Sequence, residues 1–167
     1  CINSDLANNY GNLCQRVTAF AIKNCDGKIP LEVKFHDEDL LILNKYKDNL
    51  DNIRSQIDNQ NINFYIDYIV NSLFEANKYF NDQEPWKKKD DKIRLNTIVY
   101  TTLEIVRKIS FLLYPIIPES SLKALKIFDI EEKNIKLDSV SNNEYLTKGN
   151  NIHKIDILFK KIEKNND

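Results

Sequence analysis

Residues 3–16 read NSDLANNYGNLCQR, and this stretch predicts the first helix of the chain. Apolar side chains recur in it and just after it at intervals of three or four: Leu6, Tyr10, Leu13, Val17 and Phe20. This spacing is typical of a helix with one buried stripe. Asn12 and Arg16 are four positions apart, so they are neighbours at the edge of that stripe, where a ligand could reach them.

Similar apolar periodicity predicts further helices downstream. The first helix is expected over residues 4–24, and Gly27 after it suits the left-handed conformation that ends helices. The others are expected over residues 37–57, 62–80, from 86 or 90 to 114, and 119–125. The fourth has the widest apolar face, which indicates a central helix contacted on two sides. The sequence therefore predicts an all-α fold, a bundle of about five helices.

The apolar periodicity fades after residue 128. We therefore expect a helical bundle over residues 1–128 and an irregular C-terminal tail over residues 129–167. One last apolar patch, at residues 155–159, precedes a charged end. This patch is expected to pack back on the bundle or on a domain outside this chain, because burial removes its apolar surface from water.

Composition and charge narrow the classes of function. A chain of 167 residues with 42% hydrophobic residues is long enough for one domain with a core of its own. Its formal net charge is −1, whereas a domain that binds nucleic acid through phosphates alone is strongly basic. Any contact with nucleic acid is therefore expected to be local and directed at bases, or to be assisted by another domain.

The cysteines and the apolar runs indicate a cytoplasmic protein. No apolar run approaches the roughly 20 residues of a membrane-spanning helix, and residues 1–25 lack a signal-peptide pattern. Cys1, Cys14 and Cys25 form no zinc-binding spacing, so we expect reduced thiols, with Cys14 and Cys25 in the core. The chain contains no methionine, which indicates a piece of a larger protein.

No arrangement of residues predicts a catalytic or metal site. His36 and His153 are isolated in the sequence, and the three glycines cannot form a phosphate-binding loop. Carboxylates lie beside lysines along the predicted helices, which is typical of solvated helix surfaces. We therefore expect neither catalytic residues nor metal ligands in this chain.

Trp86, the only tryptophan, follows Pro85 in the polar segment NDQEPW at residues 81–86. Proline disfavours a helix at the residue before it, so the segment is expected to separate two helices. Trp86 could be a core residue of that hairpin. Alternatively it is an exposed stacking platform for an unpaired base, an interaction worth about 1–3 kcal/mol.

One basic cluster follows directly: Lys87, Lys88, Lys89, Lys92 and Arg94. By itself such a cluster is typical of a solvated helix start. Next to a stacking platform, however, the lysines at 87–89 become candidates for phosphate contacts. Contacts to the backbone position a nucleotide whose base an aromatic ring then holds.

Taken alone, Asn12 and Arg16 could be ordinary surface groups, but with Trp86 they suit the recognition of cytosine. The pairing edge of cytosine offers an amino donor and two acceptors. An arginine has only donors for those acceptors, and an asparagine can supply a carbonyl for the amino group. Uracil would present a donor to the arginine instead, and each buried polar group left unpaired costs about 1–3 kcal/mol.

The segments NSDLANNYGNLCQR and NDQEPW, in this order and separation, resemble the anticodon-binding helical domain of methionyl-tRNA synthetases. The resemblance extends from residue 2 to about residue 163. It implies the helical bundle of class I aminoacyl-tRNA synthetases and recognition of the CAU anticodon. In that family an asparagine, an arginine and a proline–tryptophan pair recognise the first anticodon base, and they correspond to Asn12, Arg16, Pro85 and Trp86. The proximity of Trp86 to the first helix is implied by the family alone.

The resemblance also implies the activity of the intact protein. Members are methionine–tRNA ligases, which join methionine to its tRNA through methionyl-adenylate with ATP and Mg²⁺; zinc is a further candidate in an insertion of the catalytic domain. The HIGH and KMSKS signatures of that domain are absent here, so the chain alone is expected to bind tRNA without catalysis. LFKKIE at residues 158–163 is similar to the LFPRIE ending of the family, and a chain that stops there implies a monomer.

Two alternatives remain open at this point. The isoleucyl, valyl and leucyl enzymes share the bundle, although DLANNYGNL with QEPW favours the methionyl family. The chain could also be a helical interaction module without any role in RNA binding, in which case Trp86 belongs to the core.

Overall fold

The computed structural model describes residues 2–154, with side chains from residue 4 onward. This part of the chain contains six α-helices and no β-strand. The helices are α1 (Ile2–Asn24), α2 (Asp37–Asp48), α3 (Leu50–Asp58), α4 (Ile62–Gln83), α5 (Lys92–Leu113) and α6 (Pro118–Leu125). The predicted all-α fold is therefore confirmed.

Helix α5 is the centre of the bundle. It packs against α1, α2, α4 and α6, and 19 of its 22 residues are buried. The prediction of a central helix is confirmed, and the burial extends beyond the apolar face to the whole circumference. The stripe on α1 faces this core, with Leu6, Tyr10, Leu13 and Val17 all buried.

The predicted second helix is divided into α2 and α3 at Asn49, and this is a correction. Asn49 departs from helical geometry, with φ −99° and ψ 4°. Its side-chain amide donates to the Lys45 carbonyl oxygen at 2.7 Å, and its backbone N–H donates to the same oxygen at 3.0 Å. An asparagine that competes for a backbone carbonyl in this way favours a helix end over helix continuation.

The helix expected from residue 86 or 90 begins instead at Lys92. Asp91 caps it, because the Asp91 carboxylate accepts the backbone N–H of Arg94 at 3.1 Å. Trp86 therefore lies outside α5, in a short 3₁₀ turn at Pro85–Lys87.

Residues 149–152 pair with residues 27–29 through backbone hydrogen bonds. The Ile29 N–H donates to the Asn150 carbonyl at 2.8 Å, and the Gly149 N–H donates to the Ile29 carbonyl at 2.7 Å. Gly27, predicted to be left-handed, has φ +67°. The apolar patch at 155–159 lies outside the described residues, and the division at residue 128 stays a prediction.

The expectation that the carboxylates are solvated is wrong at two positions, Asp39 and Glu104, both fully buried. One Glu104 oxygen lies 2.5 Å from Nη2 of Arg107, and the other accepts the Leu146 N–H at 2.6 Å. Arg107 also donates to backbone carbonyls at residues 139 and 142. Because α5 is buried all round, a charge on it needs a counter-charge and hydrogen-bond partners to offset its desolvation.

The two described cysteines lie in the core, as predicted. Cys14 and Cys25 are buried free thiols. Burial raises the pKa of Cys14 to about 12 and that of Cys25 to about 11. Both thiols therefore stay protonated at neutral pH, which makes them poor nucleophiles.

Lys108 makes stability depend on pH. Burial and the neighbouring Arg107 charge lower the pKa of Lys108 to about 7. In the unfolded chain the pKa of lysine is about 10.4, so above pH 7 the unfolded state binds a proton that the folded state has released. The free energy of unfolding therefore rises with pH between the folded pKa of about 7 and the unfolded pKa of about 10.4, by at most about 1.4 kcal/mol per pH unit.

Urea denaturation between about pH 7 and 8, below the pKa of about 8.5 of an unfolded cysteine, isolates this effect. We expect the unfolding free energy of the wild type to rise relative to that of Lys108→Met. Parallel pH profiles of the two proteins would contradict the assignment.

Candidate nucleic-acid interface

Trp86 lies on a turn that directly follows the end of α4. Glu84 ends that helix in the left-handed region with φ +48°, and Pro85 then begins the 3₁₀ turn. Pro85 is buried, whereas the Trp86 side chain remains 39% exposed. The indole packs against the Phe80 ring in an edge-type arrangement, with centroids 6.0 Å apart and an interplanar angle of 64°. The turn therefore leaves part of the indole open to solvent.

Arg16 of α1 reaches the same two rings. Its Cζ atom lies 5.7 Å from the Trp86 ring centroid and 5.0 Å from that of Phe80. Both distances are within the range of cation–π attraction. The fold therefore brings together two of the predicted site residues, which are separated by about 70 positions in the sequence.

Asn81 orients the guanidinium of Arg16. Nη2 of Arg16 donates a hydrogen bond to Oδ1 of Asn81, and both side chains are exposed. A guanidinium has five N–H donors, so others stay available for a ligand. Sequence reasoning missed Phe80 and Asn81 as site residues, although Asn81 opens the NDQEPW segment and Phe80 belongs to the buried row of α4.

Asn12 is exposed on α1, one turn before Arg16. Its neighbours Gly11 and Leu13 are buried, so the helix holds Asn12 at the edge of the bundle. Within residues 2–154, no hydrogen bond joins the Asn12 side chain to Trp86. Asn12 therefore shares the helix edge with Arg16, and its side chain is free to accept from a ligand there.

The three predicted phosphate-contacting lysines differ in their surroundings. Lys87 lies 2.9 Å from the Glu84 carboxylate, and this pairing raises the pKa of Lys87 and lowers that of Glu84. Solvent screens exposed pairs of this kind, so Lys87 can exchange the Glu84 carboxylate for another anion. Lys88 is half-buried and Lys89 is exposed.

Arg94 is a correction to the predicted basic cluster. Its side chain is buried, and Nη1 and Nη2 donate to the two Asp39 oxygens at 2.7 and 3.0 Å. Burial alone would raise the pKa of Asp39, but hydrogen bonds from Arg94 and Tyr79 outweigh it and lower that pKa. Arg94 also donates to Oε1 of Gln83 at 2.7 Å. It therefore cannot serve as a phosphate contact.

Other kinds of site were sought in the same part of the chain. Within residues 2–154, no three His, Cys, Asp or Glu side chains are grouped so that they could hold a metal ion. No helix in that range combines the length and the hydropathy that a membrane crossing requires.

Comparison with known proteins gives a family match. The family model described as the anticodon binding domain of methionyl tRNA ligase matches residues 29–167. This range contains Pro85 and Trp86, whereas Asn12 and Arg16 precede it.

Curated relatives extend the similarity through α1. The methionine–tRNA ligase of Brucella suis is 38% identical over 129 residues, which is 77% of this chain and 25% of that protein. The methionine–tRNA ligase of Thermotoga maritima is 32% identical over 164 residues, 97% of this chain and 26% of that protein. The chain therefore spans about a quarter of the length of the curated relatives it matches.

Solved structures agree with the curated relatives. The free-state methionyl-tRNA synthetase of Mycobacterium tuberculosis superposes with a TM-score of 0.84 at 33% identity, over 95% of this chain and 32% of that one. The same enzyme in complex with methionyl-adenylate superposes equally well. The similarity thus covers both the bundle and the turn that bears Trp86.

Proposed function

The chain belongs to the methionyl-tRNA ligase family as its anticodon-binding domain, and from this premise we propose that it recognises the CAU anticodon of methionine tRNA through Trp86, Arg16 and Asn12. The observation that carries the proposal is the convergence of Arg16 with the half-exposed Trp86 ring, 5.7 Å from guanidinium carbon to ring centroid. Pro85 supports the site by fixing the turn.

The exposed part of the indole is the proposed stacking surface for the first anticodon base. Phe80 is buried and packs against the indole, so a base would stack on a ring that is already held in place. Stacking of this kind contributes about 1–3 kcal/mol and does not distinguish one base from another.

Arg16 and Asn12 are proposed to distinguish cytosine from uracil. The arginine N–H groups not used on Asn81 would donate to the two acceptors of cytosine, and the Asn12 carbonyl would accept from its amino group. Uracil reverses two of these hydrogen-bonding roles. It would leave a donor facing a donor at Arg16 and an acceptor facing an acceptor at Asn12, at a cost of about 1–3 kcal/mol for each unpaired group.

Lys88 and Lys89, and Lys87 after exchange of its Glu84 partner, are proposed to contact the phosphates beside that base. The net charge of −1 limits any sequence-independent attraction to nucleic acid. Selectivity would therefore come from contacts with the base.

For the whole protein we propose methionine–tRNA ligase activity with ATP and Mg²⁺, through methionyl-adenylate. The support is the family membership and the similarity to the methionyl-adenylate complex from M. tuberculosis. A catalytic domain outside this chain would carry the chemistry, with zinc a candidate in its insertion. A cytoplasmic monomer is the proposed form, and the tail at residues 129–167 would form a unit that packs back on the bundle or on the catalytic domain.

The fluorescence of Trp86, the only tryptophan, tests the proposal directly in the 167-residue chain. An anticodon stem-loop carrying CAU should quench it and bind at least about tenfold tighter than a UAU stem-loop. Preference for another anticodon would favour a different class I synthetase. No quenching by any stem-loop would favour the interaction module without a role in RNA binding.

Arg16→Gln and Asn12→Ala should each reduce the preference for CAU over UAU, to within about threefold, because each removes one of the base-reading groups. Gln15→Ala is the matched control. Gln15 lies on the same helix but lines a separate groove with Ile22 and Lys23. An unchanged CAU preference in both site variants would rule out this assignment.

A further inference from the structure

We propose that Arg94 and Gln83 are positioning residues, which close the base of the turn that carries Trp86 and so hold the indole in place for the anticodon. Neither residue is within the stacking site. The inference rests on the proposed function and names the contacts through which the bundle fixes that site.

Arg94 ties the two ends of the segment at residues 84–91 to each other. At one end, its side chain donates to Oε1 of Gln83, the last residue of α4, at 2.7 Å. At the other end, its backbone N–H donates to the Asp91 cap of α5 at 3.1 Å. Arg94 therefore holds both ends of the segment at residues 84–91, which contains the Trp86 turn.

The guanidinium is itself held rigidly. It forms a two-pronged pair with the fully buried Asp39 carboxylate near the start of α2, at 2.7 and 3.0 Å. That carboxylate also accepts the hydroxyl of Tyr79 and the backbone N–H of His36, the latter at 2.8 Å. A two-pronged pair in a buried place fixes direction as well as distance. Through Arg94, the turn that carries Trp86 is therefore linked to α2, α4 and α5 together.

The turn needs such a clamp because its first residue adopts a rare conformation. Glu84 is left-handed with φ +48°, which residues other than glycine seldom adopt. Conformations of this kind persist where the surroundings over-determine them. The exposed Lys87–Glu84 pair is a weak restraint, so the half-buried hydrogen bond next to it, between Gln83 and Arg94, is the stronger one.

The experiment uses Gln83→Met in the 167-residue chain, a substitution that keeps side-chain length and removes the acceptor of Arg94. We expect acrylamide quenching of Trp86 in the free chain to increase at least about twofold, and its fluorescence anisotropy to fall, because the turn gains freedom. The dissociation constant for the CAU stem-loop should rise about five- to tenfold, since pre-organisation of the site is lost. The melting temperature should shift by less than about 4 °C.

Two controls separate positioning from general stability. Gln56→Met makes the same change at a half-buried glutamine of α3, whose side chain donates to Asn52, and should leave quenching and affinity unchanged. Arg94→Lys keeps a charge for Asp39 but cannot hold Gln83 as well, so it should reproduce the Gln83→Met phenotype. Arg107→Lys, the same exchange at another buried arginine, should lower the melting temperature and leave Trp86 quenching below the transition unchanged.

The proposal is overturned if Gln83→Met and Arg94→Lys both keep Trp86 quenching and anisotropy at wild-type values. It is equally overturned if quenching rises while CAU affinity stays within about twofold of the wild type. Failure of the proposed function has a different signature, in which the wild-type chain does not prefer CAU over UAU. The quenching and anisotropy data then still decide whether Arg94 and Gln83 hold the turn.

Discussion

Replacement of Trp86 by alanine should lower kcat/KM for tRNA charging by the full-length enzyme about 10- to 100-fold, because it removes the proposed stacking surface and one ring under Arg16. Stacking is worth about 1–3 kcal/mol for each base, and each 1.4 kcal/mol is about a factor of ten. Formation of methionyl-adenylate, measured by pyrophosphate exchange without tRNA, should be unchanged. The loss should fall mainly on KM for tRNA, since the proposed role of the bundle is to hold the anticodon and not the reacting atoms.

Phe64→Ala is the matched control for this variant. Phe64 lies near the start of α4 with its side chain 64% exposed, so the substitution deletes an exposed aromatic ring without touching the Trp86 turn. Charging by this control should match the wild type. Normal charging by Trp86→Ala would remove the stacking platform from the mechanism, and an equal defect in both variants would show that the effect is not local.

The bundle was predictable from sequence where structure depends on near neighbours. The stripe from Leu6 to Val17 specifies the buried side of α1, and Gly27 ends that helix in the left-handed conformation expected of it. The same periodicity placed Asn12 and Arg16 on one helix edge. These predictions succeed because the spacing of side chains along a helix is set by geometry alone.

The parts that sequence reasoning missed depend on contacts between distant residues. Nothing in the sequence around Arg94 shows that Asp39, far away along the chain, will bury its charge, so Arg94 looked like one more surface cation. Arg16 and Trp86 meet because α1 and α4 pack together, and only the family resemblance anticipated that. At Asn49 a single side chain ends a helix although the apolar periodicity continues past it. Periodicity alone does not reveal that a side chain competes for a backbone carbonyl.

The second large effect is expected on stability, at the buried pair of Glu104 and Arg107. Glu104→Leu should lower the free energy of unfolding by about 3–5 kcal/mol, because it leaves the buried guanidinium without its counter-charge. It also removes the acceptor of the Leu146 N–H, which in the wild-type protein donates to the Glu104 carboxylate at 2.6 Å. For a chain of this size the melting temperature should fall by about 6–20 °C, measurable by circular dichroism.

The double variant Glu104→Leu/Arg107→Met distinguishes an unpaired charge from lost packing. With both charges gone, the protein should be at least about 1 kcal/mol more stable than Glu104→Leu alone, since the desolvation penalty of the orphaned guanidinium disappears. Purely additive losses would contradict this. Glu104 lies about 15 Å along α5 from Arg94, at 1.5 Å per residue. Below its transition, Glu104→Leu should therefore keep wild-type affinity for the CAU stem-loop, because the contacts that hold the Trp86 turn are independent of this pair.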